Sequence, residues 1–465
     1  MKYALATAAY LISLAECLSL PPLIPSIPGV TEPLTTNAPP LPILQVPTPP
    51  LESPPFTPSD IKPKKIGYFW TGSGDKFHKD FLATYSLDDD TFGTLLWVTD
   101  VPSSGNDPHH LGPSLDGKTL FGGGLLSLLK TQKSKDTGFY FDTTDPYRPK
   151  FLKSNRAILS SIADEVRAKP DGGFFITYMG SAVGTTPGRL IETDANFDII
   201  HEWPEDVDGT LNILGEQFSP HGLSIDWKNK LILTSDFVEP ISILKPTTGV
   251  RHANTLRLWD LDSRKIINTL TIPDGGGIQD VKFIPNHPEA AALATAVHLG
   301  QVWVIYPLRK DANGKQGVVE QLYDLGPKAR DTVAIYTDIS QDGRFFYLTL
   351  TTANHIAALD ITDLNNVKRL DNPDEDQPTV GPHYVKVTPD QKHLVVTDYF
   401  VQTGEIGIIN TPADFKALYI DINDDGSLNF NRTIDFSKEF SNRGGAKPHS
   451  SVIFDLTDPD HPLYY

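Results

Sequence analysis

Four histidines in this 465-residue chain stand directly after a proline, in Pro108-His109, Pro220-His221, Pro382-His383 and Pro448-His449, and a fifth, His110, follows the first of them. Each opens a short run of alternating apolar residues. Where three further runs open stand carboxylates instead, Asp164-Glu165, Asp280 and Asp338. Imidazoles brought together from several strands can bind copper, iron or zinc, and carboxylates beside them can hold an imidazole N–H or carry protons. His109, His110, His221, His383 and His449 are therefore the expected metal ligands. Asp164, Glu165, Asp280 and Asp338 are the expected proton carriers. Neighbouring residues of a strand face opposite sides, so the spacing leaves open which of His109 and His110 points inward. The proline ahead of each of the four histidines fixes φ and stiffens the backbone that carries the ligand.

The elements that must position these residues repeat along the chain. One unit is a polar or histidine-bearing start, a short strand, a turn built on Asp and a second apolar strand; copies begin near Pro108, Ile162, Pro220, Ile278, Tyr336, Pro382 and Pro448. A second unit of period-two apolar residues alternates with it, at Phe81-Leu82-Ala83-Thr84-Tyr85, Phe139-Tyr140-Phe141, Leu190-Ile191, Leu256-Arg257-Leu258-Trp259, Val302-Trp303-Val304-Ile305, Ile356-Ala357-Ala358-Leu359 and Leu418-Tyr419-Ile420. Period two with turn residues between runs predicts antiparallel strands, and seven matched pairs of units predict an all-β, seven-bladed β-propeller. In such a ring the first strand of each blade lines the axial channel. The first outer unit precedes any inner unit and the last inner unit lacks an outer partner, so N-terminal and C-terminal strands are expected to pair and close the ring, leaving no free sheet edge. One stretch, Leu125 to Leu129, is helix-like.

Met1-Lys2, an apolar run from Tyr3 to Leu14 and Ala15-Glu16-Cys17-Leu18-Ser19 have the layout of a secretory signal peptide over residues 1–19, which predicts a secreted, extracellular protein. Prolines recur through residues 20–63, predicting an extended, disordered linker. Residues 64–465 form the folded part. No later run is apolar enough to span a bilayer, so no membrane partner is expected. The net charge of −18 is spread along the chain and would repel nucleic-acid phosphates, which leaves a small-molecule substrate as the expected partner. The single cysteine lies in the signal segment, so the core must hold without disulfides. Asn431-Arg432-Thr433 is an N-glycosylation sequon.

Other motifs read as structure. Asp421-Ile422-Asn423-Asp424-Asp425-Gly426 starts like a calcium loop but carries Arg432 at its twelfth position, so it is expected to be a hairpin turn. Gly122-Gly123-Gly124 lacks the Lys-Ser/Thr of a phosphate cradle, and no Gly-x-Ser-x-Gly element is present. His298 follows an apolar strand and could reach the channel; His78, His201, His252, His287, His355, His393 and His461 are expected in solvated loops or turns.

The order of several segments resembles the selenium-binding protein family, whose members include methanethiol oxidases. These are Pro108-His109-His110 with Gly112, Asp145-Pro146 with Arg148-Pro149, Asn254 to Asp260 leading into Ile267-Asn268-Thr269-Leu270, Val281-Lys282-Phe283 with Pro288-Glu289-Ala290-Ala291, Thr337-Asp338-Ile339-Ser340 with Asp342-Gly343-Arg344-Phe345, Gly381-Pro382 and Pro448-His449. The resemblance implies a propeller and a copper-dependent oxidation of a small thiol, with His109, His110, His221 and His449 on the family's histidine-bearing segments. The family's cysteine-rich N-terminal element and its Cys-x-x-Cys after the paired histidines have no counterpart here, and Asp164-Glu165-Val166-Arg167 replaces a histidine-bearing module. The expected function is a secreted metal-dependent oxidase, copper first and iron second. A non-catalytic binding propeller and a non-redox metal lyase or isomerase are the alternatives.

Overall fold

The computed structural model describes residues 49–125, 136–205, 218–244, 249–330, 332–401, 409–458 and 462–464. The expected signal peptide and the helix-like stretch beyond Leu125 lie outside these residues. The alternating runs fold into seven antiparallel sheets. Their first strands are Ala446–Asp455 (blade 1), Pro108–Pro113 (blade 2), Ser160–Ala168 (blade 3), Pro220–Asp226 (blade 4), Ile278–Phe283 (blade 5), Ile335–Ile339 (blade 6) and Val385–Val387 (blade 7). Each packs against the first strand of the next blade until the last meets Ala446–Asp455, so the channel is closed all round. All seven outer units of the sequence are the third strands of their blades.

Closure joins the two ends of the folded chain. Ala446–Asp455 pairs with Lys65–Ser73 along its length, from Lys65↔Asp455 to Ser73↔Ala446, and Phe81–Ser86 and Leu95–Asp100 complete the sheet. The C-terminal side thus gives one long strand, with the short Leu463–Tyr464 on its free edge, and the N-terminal side gives three. Ile66-Gly67-Tyr68-Phe69-Trp70, where the folded sequence begins, is the closing element: Tyr68 and Trp70 face blade 2 and Phe69 faces blade 7. Such a strand is buried on both faces, which is why it reads as a continuous apolar run rather than an alternation.

Seven hydrophobic clusters fill the seven gaps between neighbouring blades. One of them, between blades 5 and 6, extends across the upper mouth of the channel through Ile162, Met179, Phe237 and Phe400. The proline-rich stretch expected as a linker through residue 63 lies on the ring from residue 49 onward. Leu51 bridges to His78, Phe56 stands edge-on to Trp97 at 5.5 Å and Ile61 packs on the cluster between blades 1 and 2. An extended chain forms no sheet of its own, yet its apolar side chains still find a surface. The Asp421–Gly426 turn is a hairpin, with Asn423 N–H bonded to the Ser427 carbonyl and Gly426 at φ 85°. The glycine run of blade 2 makes room for Trp70, whose indole N–H donates to the Gly123 carbonyl at 2.7 Å and whose ring stands 3.0 Å from where a Cβ on Gly122 would lie.

Candidate metal centre

A β-bulge recurs at one level of the channel and decides which side chains face it. In blades 2, 3, 4 and 5 the ladder skips two residues of the first strand, His109-His110, Asp164-Glu165, His221-Gly222 and Gln279-Asp280. Blade 1 shifts register beside His449, and in blade 7 both His383 and Tyr384 bond to the single residue Thr397. An extra residue in a strand re-aims its neighbours, so adjacent residues can both point inward. His109 and His110 both do, and both are fully buried.

The backbone groups freed by the bulges are satisfied by hydroxyls. Thr177, Ser235 and Thr295 accept the N–H of Glu165, Gly222 and Asp280 in their own blades and donate to the carbonyls of His221, Gln279 and Ile335 in the next. Thr349 donates to the His383 carbonyl, Thr397 to that of His449, and Ser450 to that of His109. Buried backbone groups must be paired, and this hydroxyl girdle pairs them while locking neighbouring blades together at every junction but that of blades 2 and 3, where Gly123 stands in the hydroxyl's place. Its unread signal in the sequence is a Thr or Ser at the same offset in the second strands of blades 3 to 7; in blade 1 the first strand supplies Ser450 instead.

This register sorts the channel into rings. The first holds His109, Asp164, His221, Gln279, Ile335, His383 and His449. The second holds His110, Glu165, Gly222, Asp280, Tyr336, Tyr384 and Ser450. Asp280 and Asp338 were expected at the histidine level; the structure puts Gln279 and Ile335 there, with Asp280 one residue below and Asp338 lower still, lining a cavity at the other mouth.

The first ring and His110 form one packed group. Ring centroids are 3.9 Å apart for His109 and His449, 4.4 Å for His109 and His110, 4.8 Å for His383 and His449 and 5.7 Å for His110 and His221. Asp164 Oδ1 lies 3.1 Å from His109 Nε2, 3.3 Å from His221 Nε2 and 3.4 Å from His110 Nδ1. Two sets bring one ligand atom per residue within 4.8 Å of one another: His109, His110 and His449, and His109, Asp164 and His221. His383 belongs to neither set. Phe400 covers His383 at 4.5 Å and Phe237 covers His221 at 5.2 Å, which keeps the group dry.

Burial lowers the proton affinity of all five imidazoles, His109 to about 3, and the neighbouring histidines lower that of His110 further. They are neutral at pH 7 and each keeps a lone pair. Burial pushes Asp164 up to about 7 against the pull of His221. Both nitrogens of His110, His383 and His449, Nδ1 of His109 and of His221, and Oδ2 of Asp164 have no hydrogen-bond partner among the described residues. Buried polar atoms are almost always paired, so this many unpaired donors and acceptors at one point fit a ligand rather than a structural network. The two sets can hold a metal ion, as neutral imidazoles and a carboxylate are its usual donors.

The second ring is different in kind. Burial raises Glu165, but the Arg167 guanidinium outweighs it, with Lys282, Lys386 and the Tyr336 hydroxyl, and holds the carboxyl at about 2. Tyr336 donates to Glu165 Oε2 and stacks on Tyr384 at 4.7 Å. Asp280 Oδ2 accepts from Lys282 at 2.8 Å and from the Thr337 hydroxyl at 2.6 Å. The tyrosines and these three cations were not foreseen. Among the other histidines, His298 packs at a tilt against His252 with centroids 3.7 Å apart, and His355, expected in solvent, is buried and bonded to Asp371 at 2.7 Å. His393 stacks on Tyr419 in blade 7, His78 bonds Asp75, and His461 lies outside the described residues.

Compared with known protein families the chain matches none, and no curated protein matches it. Solved structures do. A hypothetical selenium-binding protein from Sulfolobus tokodaii superposes with a TM-score of 0.67 at 17% identity, over 84% of this chain and 94% of that one. A periplasmic gluconolactonase from Pseudomonas aeruginosa gives 0.54 at 12% identity, over 80% and 96%. A putative 6-phosphogluconolactonase from Bacteroides uniformis gives 0.54 at 14%, over 80% and 96%. At these identities the likeness is one of fold.

Proposed function

We propose that this propeller is a secreted, metal-dependent oxidoreductase that oxidises a small thiol or a similar small reduced molecule with dioxygen, and that copper is its ion. The observation that carries the reading is the dry group of neutral imidazoles with unpaired nitrogens. His109, His110 and His449 would hold the ion, with Asp164 and His221 alongside. Imidazole suits copper, which also leads the divalent series in affinity. A bound copper ion would take up electrons one at a time from the substrate.

The remaining work falls to the chain itself. The bulges and hydroxyl girdle hold the imidazoles rigidly, so little rearrangement accompanies binding. Phe237 and Phe400 exclude water. Asp164, held near neutrality, can take a proton from a thiol and release it again at ordinary pH. The same residue favours a second reading, a non-redox lyase or isomerase, because proton transfer beside a metal is all that such chemistry requires of the protein.

Protein produced with copper or iron in excess should carry about one transition-metal ion per chain, as a single mononuclear site would. His109→Ala and His449→Ala should each lower metal affinity by about tenfold or more and abolish oxygen uptake with small thiols, whereas His201→Ala, an exposed residue, should do neither. Only trace metal by elemental analysis would overturn the proposal and leave a binding propeller. Metal without oxygen uptake across thiols would move the assignment to the lyase or isomerase.

A further inference from the structure

Below the second ring the inner strands present a third: Gly112, Arg167, Ser224, Lys282, Asp338, Lys386 and Val452. It lines a cavity of about 380 Å³ at the mouth opposite the histidines. The cations follow from a repeated sequence, Glu165-Val166-Arg167, Asp280-Val281-Lys282 and Tyr384-Val385-Lys386, in which each basic residue stands two places after a second-ring residue on blades 3, 5 and 7. Small or apolar residues on blades 1, 2 and 4 leave the space between them. In a chain of net charge −18, three cations meeting in one cavity run against the average.

Two of these cations, Arg167 and Lys282, are anchored without being used up. Arg167 bonds Glu165 and the Val166 carbonyl through Nη1, so Nη2 and Nε are uncommitted. Lys282 gives one bond to Asp280 and lies over the Tyr336 ring at 4.5 Å; Lys386 lies over Tyr384 at 5.7 Å. Glu165 and Asp280 sit a ring above, behind the cations. Among the described residues the one carboxylate lining the cavity is Asp338, which accepts the Val387 N–H at 2.8 Å and attracts Lys386. Trp227, partly exposed, and Val452 supply apolar wall.

We propose that this cavity is a second ligand site, for a small organic anion whose carboxylate or sulfonate meets Arg167, Lys282 and Lys386 while its apolar body lies on Trp227 and Val452. The stacked tyrosines separate it from the histidines, so it stands independently of any metal. Burial lowers the proton affinity of Lys386 against the pull of Asp338, and repulsion from Lys282 and Arg167 lowers it further; an anion between the cations relieves that repulsion. Pockets of this size, largely apolar with a few convergent polar groups, are typical of small-molecule sites.

Calorimetric titration of the whole chain with 4-methylpentanoate and with its neutral isostere 4-methylpentanamide tests the site. The carboxylate should bind one per chain and the amide about tenfold more weakly or not at all, a difference of one charge-assisted contact set. Lys386→Gln should weaken the carboxylate about tenfold and Trp227→Ala severalfold, while His449→Ala leaves it unchanged. Equal binding of acid and amide, no heat at millimolar carboxylate, or indifference to both Lys386→Gln and Trp227→Ala would overturn the assignment. So would loss of binding in His449→Ala, which would put the anion among the histidines. Should Lys386→Gln fail to fold, the acid–amide contrast and Trp227→Ala decide the matter.

Discussion

The histidine ring and the ring of Arg167, Lys282, Asp338 and Lys386 sit on the same strands, three residues apart, and treat buried polarity in opposite ways. In the upper ring neutral imidazoles crowd to centroid spacings of 3.9 to 4.8 Å and leave most of their nitrogens unpaired. In the lower ring and the acids above it, Arg167 is matched by Glu165, Lys282 by Asp280, and Asp338 by a backbone N–H. On every blade but the sixth, whose register is unbroken, both arrangements rest on the same bulge. The lesson is that the repeat supplies geometry and the side chain decides its use: unpaired lone pairs invite an ion, and charges paired along their own strand stay fixed while their remaining donors face a cavity.

Both rings need a closed channel, and the most drastic way to disrupt them is to open it. Removing residues 446–465 takes away His449, Ser450 and the partner of Lys65–Ser73 over its whole length. It should abolish cooperative folding, seen as loss of a sigmoidal urea transition and of the monodisperse elution peak. A soluble, cooperatively melting truncation would show that blade 1 is not needed to hold either ring.

A less destructive pair of variants sharpens the contrast between the rings. Lys282→Met leaves the buried Asp280 without its cation, held only by Thr337 and the Val281 N–H, and should cost about 3–5 kcal/mol in urea denaturation. His383→Leu, measured on metal-free protein, deletes two unpaired nitrogens and keeps the volume, so it should cost under about 1.5 kcal/mol or stabilise. Equal costs would erase the distinction drawn between the rings.

The ring of seven blades was legible because each first and third strand carries its own period-two run, and ring closure followed from the order of units alone. The histidines were legible because four share the Pro-His step. The bulge was not, since an extra strand residue leaves no mark in composition; hence Asp280 was aligned with the histidines when Gln279 holds that place, while on blade 6, whose register is unbroken, no Pro-His step marks Ile335 and Asp338 was taken for it. That His109 and His110 both face inward, against simple alternation, is also due to the bulge. Tyr336, Tyr384 and the three cations were hidden because a basic residue in a strand reads as its solvent face, and only the repeated Val-Arg or Val-Lys step marks them as a channel ring.

The smallest expected effect separates the girdle's two roles. Thr397 donates to the carbonyl of His449, a ligand candidate, and Thr295 donates to the carbonyl of Ile335 while accepting the Asp280 N–H. Valine matches threonine in shape and removes only the hydroxyl, leaving a buried carbonyl without its donor, so each Thr→Val change should cost about 1–2 kcal/mol, Thr295→Val at least as much as Thr397→Val. Stability alone cannot tell a structural bond from one that aims a ligand. Metal affinity can: freeing the His449 backbone lets the imidazole wander, so Thr397→Val should weaken metal binding severalfold, while Thr295→Val, at a ring position with no ligand, should leave it unchanged. Paired measurements of urea stability and metal dissociation on the two variants check this. If both lose metal equally, the girdle holds the channel only as a whole, and the bulge at His449 has no special part in presenting its imidazole.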